Sequence, residues 1–422
     1  MNPISHPLHW KYQKNAHLVR TLLLHQAPEF VYRRRPEVVE GEIPVFTFHG
    51  VDPEQFEAQC LHLAENGYRT LTSAEFESVL SGRTRLQRSS VLLTFDDGLK
   101  EVWTVAFPLL RRYGLKATCF LIPGLIPAGE PPPRPNLAHA WREDRPVSEI
   151  LAGRPGEPPV ATWPEIRIMH ESGVVDFQSH TMYHALVHTS GRVFDFVNPN
   201  YDPYFYGNLL IPLYRQGGKD VLARTPVPGM PIYAARPRMQ APVRFLDDER
   251  VRDRCAALVA REGPRTFFAD PGWRRRLRRI VQQESAASTA PGRFESPEER
   301  DREVLDELIR SRRIIEEKLP GAEAVHLCYP WFEAHGFAMA LSVEAGYRLN
   351  YFGYRPGRPT NRPGDDPLCV VRVDELYLQR LPGTGRLSLR EILRQEYLSG
   401  RPSRPRQAGP ASQEPADSAR SR

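Results

Sequence analysis

Val91-Leu92-Leu93-Thr94-Phe95-Asp96-Asp97-Gly98 is the stretch on which the reading of this 422-residue chain turns. Three aliphatic residues, a Thr and a Phe form the pattern of a short buried strand. The strand stops abruptly on two adjacent carboxylates and a glycine. Strand side chains alternate between faces, and past the last strand residue the backbone must turn, which Gly98 permits. Parallel α/β folds carry their chemistry at the carboxyl ends of their strands. Taken alone, Asp-Asp-Gly is an ordinary surface turn; the strand before it and the histidines after it make it a site.

The neighbouring segments repeat the pattern. Ile43–Phe48 reads as a strand ending on His49. Asp52–Asn66 reads as a helix with Phe56, Cys60 and Leu63 on one face, Asp52-Pro53 at its start and Gly67 at its end. Thr70-Leu71 is a short strand or turn, and Thr72 or Ser73 with Glu75 caps a helix through Leu80. Val102–Tyr113 is a helix, Ala117–Ile122 a strand, 123–159 a Pro/Gly-rich loop and Trp163–Glu171 a helix. Val174–Gln178 is a strand delivering Ser179-His180-Thr181-Met182-Tyr183-His184. Such a strand–helix rhythm argues for βα units and a mainly parallel sheet or barrel.

Residues 1–42 lack a clear period and are read as an N-terminal extension. The rhythm also fails over 185–300, read as an insertion in a domain spanning 43–385; its run Arg274–Arg279 suits a solvated helix face. Beyond it come a helix over Arg302–Leu319, a strand Val325–Tyr329 ending on Pro330-Trp331, a helix Ala338–Ala345, and strands at Tyr347–Phe352 and Val370–Val373. A helix occupies 386–399, and 400–422, without aromatic residues, is expected to be disordered.

Composition sets the outer bounds. The net charge is +6, and 51 of the 57 basic residues are Arg. The 51 acids interspersed with them argue against nucleic acid as a partner. Five cysteines, none spaced as CxxC, argue against a disulfide framework or a structural zinc site. No run approaches the ~20 apolar residues of a membrane span, and no leader pattern is visible, so a cytoplasmic location is expected.

Asp97, His180 and His184 form a candidate metal triad. Histidines four apart can reach one ion from a helical turn or a tight loop, and a carboxylate from another strand end adds a third ligand. Three ligands leave room for water and substrate, as a hydrolytic site requires. Asp96 is then available as general base.

Thr94-Phe95-Asp96-Asp97-Gly98 followed by Ser179–His184 resembles the first two motifs of the polysaccharide deacetylases, the NodB-homology proteins of carbohydrate esterase family 4. Cys328-Tyr329-Pro330-Trp331 resembles the third motif, and Val45–Val51 the opening strand. The resemblance covers about residues 43–125, 160–190 and 302–385. It implies a bacterial hydrolase with a distorted (β/α)7 barrel of the NodB type, here with a large insertion. It implies removal of N-acetyl groups from amino sugars of a glycan or a lipid-linked precursor. Asp96 would be the base, Asp97, His180 and His184 the ligands of a divalent metal, most often zinc. The metal and a backbone N–H near Tyr329 would hold the oxyanion, Tyr329 itself being either a site residue or a core aromatic, with Pro330 and Trp331 lining the substrate site. The third motif lacks the family's arginine, and no late Leu-x-His motif supplies the general acid. His49 is the substitute, with Asp374 or Arg380 as late partners. A carbohydrate-binding member of weak activity, or a metal hydrolase of a non-sugar amide, are the other readings.

Overall fold

The computed structural model describes residue 24 and residues 26–33, 41–86, 89–153, 156–201, 212–222, 227–287, 292–355 and 357–398. The expected disordered tail over 400–422 lies outside them. Seven parallel strands form the frame: β1 (Val45–Phe48), β2 (Ser90–Phe95), β3 (Ala117–Leu121), β4 (Val175–Ser179), β5 (His326–Cys328), β6 (Leu349–Tyr351) and β7 (Val373–Asp374). They are hydrogen-bonded in the order β6-β5-β4-β3-β2-β1-β7. A parallel bridge between Tyr351 and Val370, just ahead of β7, joins β6 to the other end. The sheet is thereby a ring in which each strand's neighbour in space is its neighbour in sequence, the distorted seven-stranded barrel expected.

β2 sits centrally, and all six of its residues are buried. Parallel strands covered on both faces need such a continuous apolar run. Alternation then divides it. Val91, Leu93 and Phe95 join the cluster beneath the outer helices with Phe56, Cys60 and Leu63. Leu92 faces the barrel interior with Val45, Phe120, Cys328 and Tyr351. Thr94 satisfies its hydroxyl on the Phe46 carbonyl at 2.8 Å. Asp96 continues the inward parity of Leu92 and Thr94, so the strand aims it into the barrel mouth.

The outer helices follow their caps. Asp52 accepts the Gln55 N–H at 3.0 Å with Pro53 opening the helix Pro53–Glu65. Thr162 and Glu165 form a capping box for Trp163–Glu171. The helix expected over Val102–Tyr113 begins instead as a π-helical turn, Val102–Ala106, before Phe107–Tyr113. Pro108 has no N–H to donate to the preceding turn, and the wider turn accommodates that loss. The loop expected over 123–159 contains two helices, Leu137–Glu143 and Val147–Ala152.

Between His184 and Ser296 the chain builds a separate four-stranded sheet. Its longest strand, Leu186–Phe196, runs antiparallel to Pro231–Pro237. Helices Glu249–Glu262, Pro264–Ala269 and Trp273–Ala287 pack beside it around Phe196, Cys255, Phe267 and Leu277. Ion pairs seal this layer: Arg238 on Glu295 at 2.9 Å and Arg244 on Asp220 at 2.8 Å. The expected basic helix face is present, with Arg275, Arg278 and Arg279 exposed. No helix among the described residues is long and apolar enough to cross a membrane. All five cysteines are free thiols, four of them buried.

The long helix Pro297–Lys318 joins this layer to the barrel and buries Glu307. Its Oε1 has no hydrogen-bond partner. Burial pushes the Glu307 carboxyl up to about 7, more than Arg238, Arg310 and a backbone hydrogen bond from Met182 can offset. A raised folded-state pKa means that the fold binds an extra proton between about 4.5 and about 7 and loses stability as pH rises through that window. Glu307→Gln should therefore melt with the wild type near pH 4.5 and above it at about pH 8. Thermal melts at the two pH values check this; a variant no more stable at the higher pH refutes it.

Candidate active site at the barrel mouth

The mouth is assembled from strand ends. β2 ends on Asp96-Asp97, and the backbone there turns left-handed, with φ of 68° at Asp97 and 61° at Gly98. The turn suits Gly98 for a second reason: a Cβ there would stand 2.9 Å from Leu121 Cδ2 on the next strand. Because Asp97 leaves the extended conformation, its carboxylate shares a mouth with that of Asp96 instead of pointing to the opposite face.

β4 delivers the histidines on a tight loop, not a helical turn. His180 N–H donates to the Leu121 carbonyl at 2.7 Å. Ser179 Oγ takes the Thr181 N–H, and Thr181 Oγ1 takes the His184 N–H at 3.1 Å. Thr181 and His184 both have positive φ, 65° and 49°. A non-glycine residue there is uncommon, and two in four residues indicate a loop held by its surroundings.

The result is three donor atoms facing one point. Asp97 Oδ1 lies 3.5 Å from His180 Nε2 and 3.6 Å from His184 Nε2. All three residues are buried. These separations are long for hydrogen bonds, and Asp97 Oδ1 has no hydrogen-bond partner. Two ligands at about 2.0–2.1 Å from one tetrahedral ion stand about 3.4 Å apart. The orphaned oxygen and the spacing thus fit a divalent cation. The tautomer fits as well. His180 Nδ1 is 2.8 Å from the Cys328 carbonyl, which can only accept, so Nδ1 carries a proton and Nε2 is the ring atom left to face an ion. Metal-ligating histidines are oriented by such contacts. Burial works to raise the Asp97 carboxyl, but His180, His184 and His49 hold it well below the usual carboxylate range.

Asp96 has a different partner. Arg372 Nη1 donates to Asp96 Oδ1 at 2.6 Å, and both side chains are buried. Burial again opposes ionisation, yet Arg372, His180 and His49 keep the Asp96 carboxyl below its ordinary value. Asp96, His180 and Cys328 also lie close enough to suggest a second ion site. The guanidinium already compensates Asp96 and would repel a cation, so the group around Asp97 is the better candidate for an ion. Arg372 was not among the residues expected from sequence. Its signal is a charge inside the apolar run Val370-Val371-Arg372-Val373, since a buried guanidinium needs a carboxylate. It places a guanidinium beside Asp96 from the lead-in to β7, far along the sequence from the third motif.

The remaining expectations fare unequally. His49 reaches the rim, with Nε2 3.8 Å from Asp96 Oδ2. Trp331 packs on His184 with ring centroids 4.2 Å apart, and Pro330 is buried beside it. Tyr329 turns into the core with Leu327, Phe352 and Ala338. Its hydroxyl donates to the Ala338 carbonyl and its N–H to that of Tyr351, each at 3.2 Å. The inward pull of that cluster makes Tyr329 a core residue, not a catalytic one. Asp374 caps its own turn by accepting the Leu376 N–H at 3.0 Å. Arg380 donates to the carbonyls of Val31, Arg33 and Leu387, which ties the segment 31–33 to the turn that follows β7.

Residues 83–193, which include both carboxylates and both histidines, match the family model described as polysaccharide deacetylase. Over this stretch, about a quarter of its length, the chain is similar to the polysaccharide deacetylases. It is 35% identical over 90 residues to the Bacillus subtilis protein YxkH, named for the same family, covering 19% of this chain and 32% of that one. It is 28% identical over 143 residues to the poly-beta-1,6-N-acetyl-D-glucosamine N-deacetylase of Escherichia coli, covering 34% of this chain and 19% of that one. The matches therefore span about a third or less of each of these relatives. Among solved structures, a de-N-acetylase from Aggregatibacter actinomycetemcomitans aligns over 79% of this chain and 94% of that one. Its TM-score is 0.46 at 16% identity, a likeness too weak to argue from.

The Asp96–Arg372 pair makes a thermodynamic prediction. Arg372→Met leaves a buried carboxylate uncompensated and should cost about 3–5 kcal/mol. Adding Asp96→Asn should restore part of that loss, giving a double-mutant cycle with a coupling well above zero. Denaturant titration of the four proteins measures it; additive effects would show that the pair is not energetically linked.

Proposed function

We propose that the protein is a metal-dependent hydrolase that removes N-acetyl groups from the amino sugars of a glycan. The observation that carries this reading is the division of the two carboxylates: Asp97 faces two imidazoles, while Asp96 faces a guanidinium. Asp97, His180 and His184 would hold the ion, and zinc suits their one-carboxylate, two-imidazole set. Bound there, a divalent ion would supply Lewis acidity toward the amide carbonyl and toward water.

The chain's own residues do the rest. Asp96, kept ionised by Arg372, accepts the proton of the attacking water. Arg372 also orients that carboxylate through its bond to Oδ1. His49, half-exposed at the rim, is the candidate to protonate the departing amine. With the Tyr329 N–H on the Tyr351 carbonyl, the Phe332 N–H on that of Tyr329 and no N–H on Pro330, the Trp331 N–H is the candidate backbone donor to the oxyanion. Trp331 walls the site on the side of His184. The printed name of the Escherichia coli relative supports an N-acetylglucosamine polymer as the substrate class; a lipid-linked precursor is the narrower alternative.

Two measurements test this together. Wild type grown with zinc should carry about one equivalent of ion, and His180→Ala and His184→Ala should each lose most of it. Asp96→Asn should retain the ion yet lower kcat for acetate release from N-acetylglucosamine oligomers about 10²- to 10⁴-fold. Wild type free of metal, or an Asp96→Asn variant as active as wild type, would defeat the proposal.

A further inference from the structure

The turn Pro330–Phe332 carries two successive aromatic residues in the left-handed region, with φ of 54° at Trp331 and 65° at Phe332. Bulky residues avoid that region, at roughly 1–2 kcal/mol each. An observed outlier of this kind motivates a search for function. The surroundings are shaped to hold it. Phe332 N–H donates to the Tyr329 carbonyl at 3.2 Å, and the Phe332 carbonyl accepts the Gly353 N–H at 3.1 Å. A Cβ on Gly353 would stand 2.8 Å from the Phe332 Cβ, so that position is kept clear for Phe332.

The ring thus held covers the base. Arg372 lies 5.1 Å from the Phe332 ring centroid, and the His49 ring meets it edge to face at 5.7 Å. A cover made only to exclude water would gain most by burial. Phe332 is instead 37% exposed at the rim, while Arg372 beneath it is 5% exposed. It pairs with Trp331, whose ring packs on the metal-side His184. The two strained aromatics therefore bracket the mouth, one over the presumed ligands and one over the base.

We infer that Phe332 is a stacking platform for a pyranose ring, setting the sugar that bears the reacting acetamide across the mouth. A pyranose presents an apolar C–H face and a polar rim. The exposed Phe332 ring suits the first, and His49 with the Asp96–Arg372 pair, directly beside it, suits the second. An exposed apolar group ringed by polar ones is the common form of a ligand site. The inference rests on the deacetylase reading and adds to it the residue that selects a sugar over an unadorned amide.

The test exploits the backbone. Glycine favours the φ that Phe332 adopts, so Phe332→Gly removes the ring without displacing the turn. Kinetics on N-acetylglucosamine oligomers should show KM raised about tenfold with kcat within about twofold, the size of one lost aromatic contact. Phe332→Tyr should recover most of the loss seen in Phe332→Gly. Calorimetric titration of the same oligomers should show affinity falling in parallel. An unchanged KM and affinity in Phe332→Gly, or a fall in kcat alone, would overturn the platform while leaving the deacetylase reading intact. A wild type that neither turns over nor binds the oligomers would overturn both.

Discussion

The buried pair Arg372–Asp96 is the contact on which the rest of this molecule depends. It connects the lead-in to the last barrel strand with the end of the second, across 276 positions of sequence. Neither charge could be buried alone, because taking an ion out of water costs several kcal/mol unless a partner meets it. Each therefore requires the other, and together they require β7 to lie alongside β1, next to β2. Barrel closure and the ionisation of the candidate base are the same physical event.

That coupling explains why two adjacent aspartates can behave so differently. Asp96 ends an inward-facing row of side chains and meets a fixed cation supplied by the protein. Asp97, one residue on, has left the strand conformation and meets two imidazoles at distances suited to an exchangeable cation. Environment, not residue type, assigns the roles. A left-handed φ at a non-glycine residue is the device that places both in one mouth.

Much of this was legible in the sequence. The strand Ser90–Phe95, its terminal acids and the histidines after β4 follow from periodicity and from ligand chemistry that needs those residue types. The helix expected over Trp163–Glu171 is present with those bounds, and a capping box of Thr162 and Glu165 opens it. Ser296-Pro297-Glu298-Glu299 carries the same signal and was passed over, so the long helix starts before the expected Arg302. Other features could not be read from local pattern. Arg372 makes sense only beside a carboxylate far away in sequence. Tyr329 resembles a site residue until the cluster around Leu327 and Phe352 is seen to claim its ring. The second sheet was hidden because its main strand is half polar and interrupted by irregular register near Ser190-Gly191-Arg192. The strain at Trp331 and Phe332 has no sequence signature at all, since either residue is ordinary in a strand or helix.

The long strand of that second sheet begins at Leu186, one residue past Ala185 and two past His184. Ala185 is buried, and its carbonyl accepts the Arg238 N–H from the return strand at 2.9 Å. A single buried residue, Ala185, separates that sheet from His184, so the accessory layer fixes where the loop carrying a candidate ligand must end.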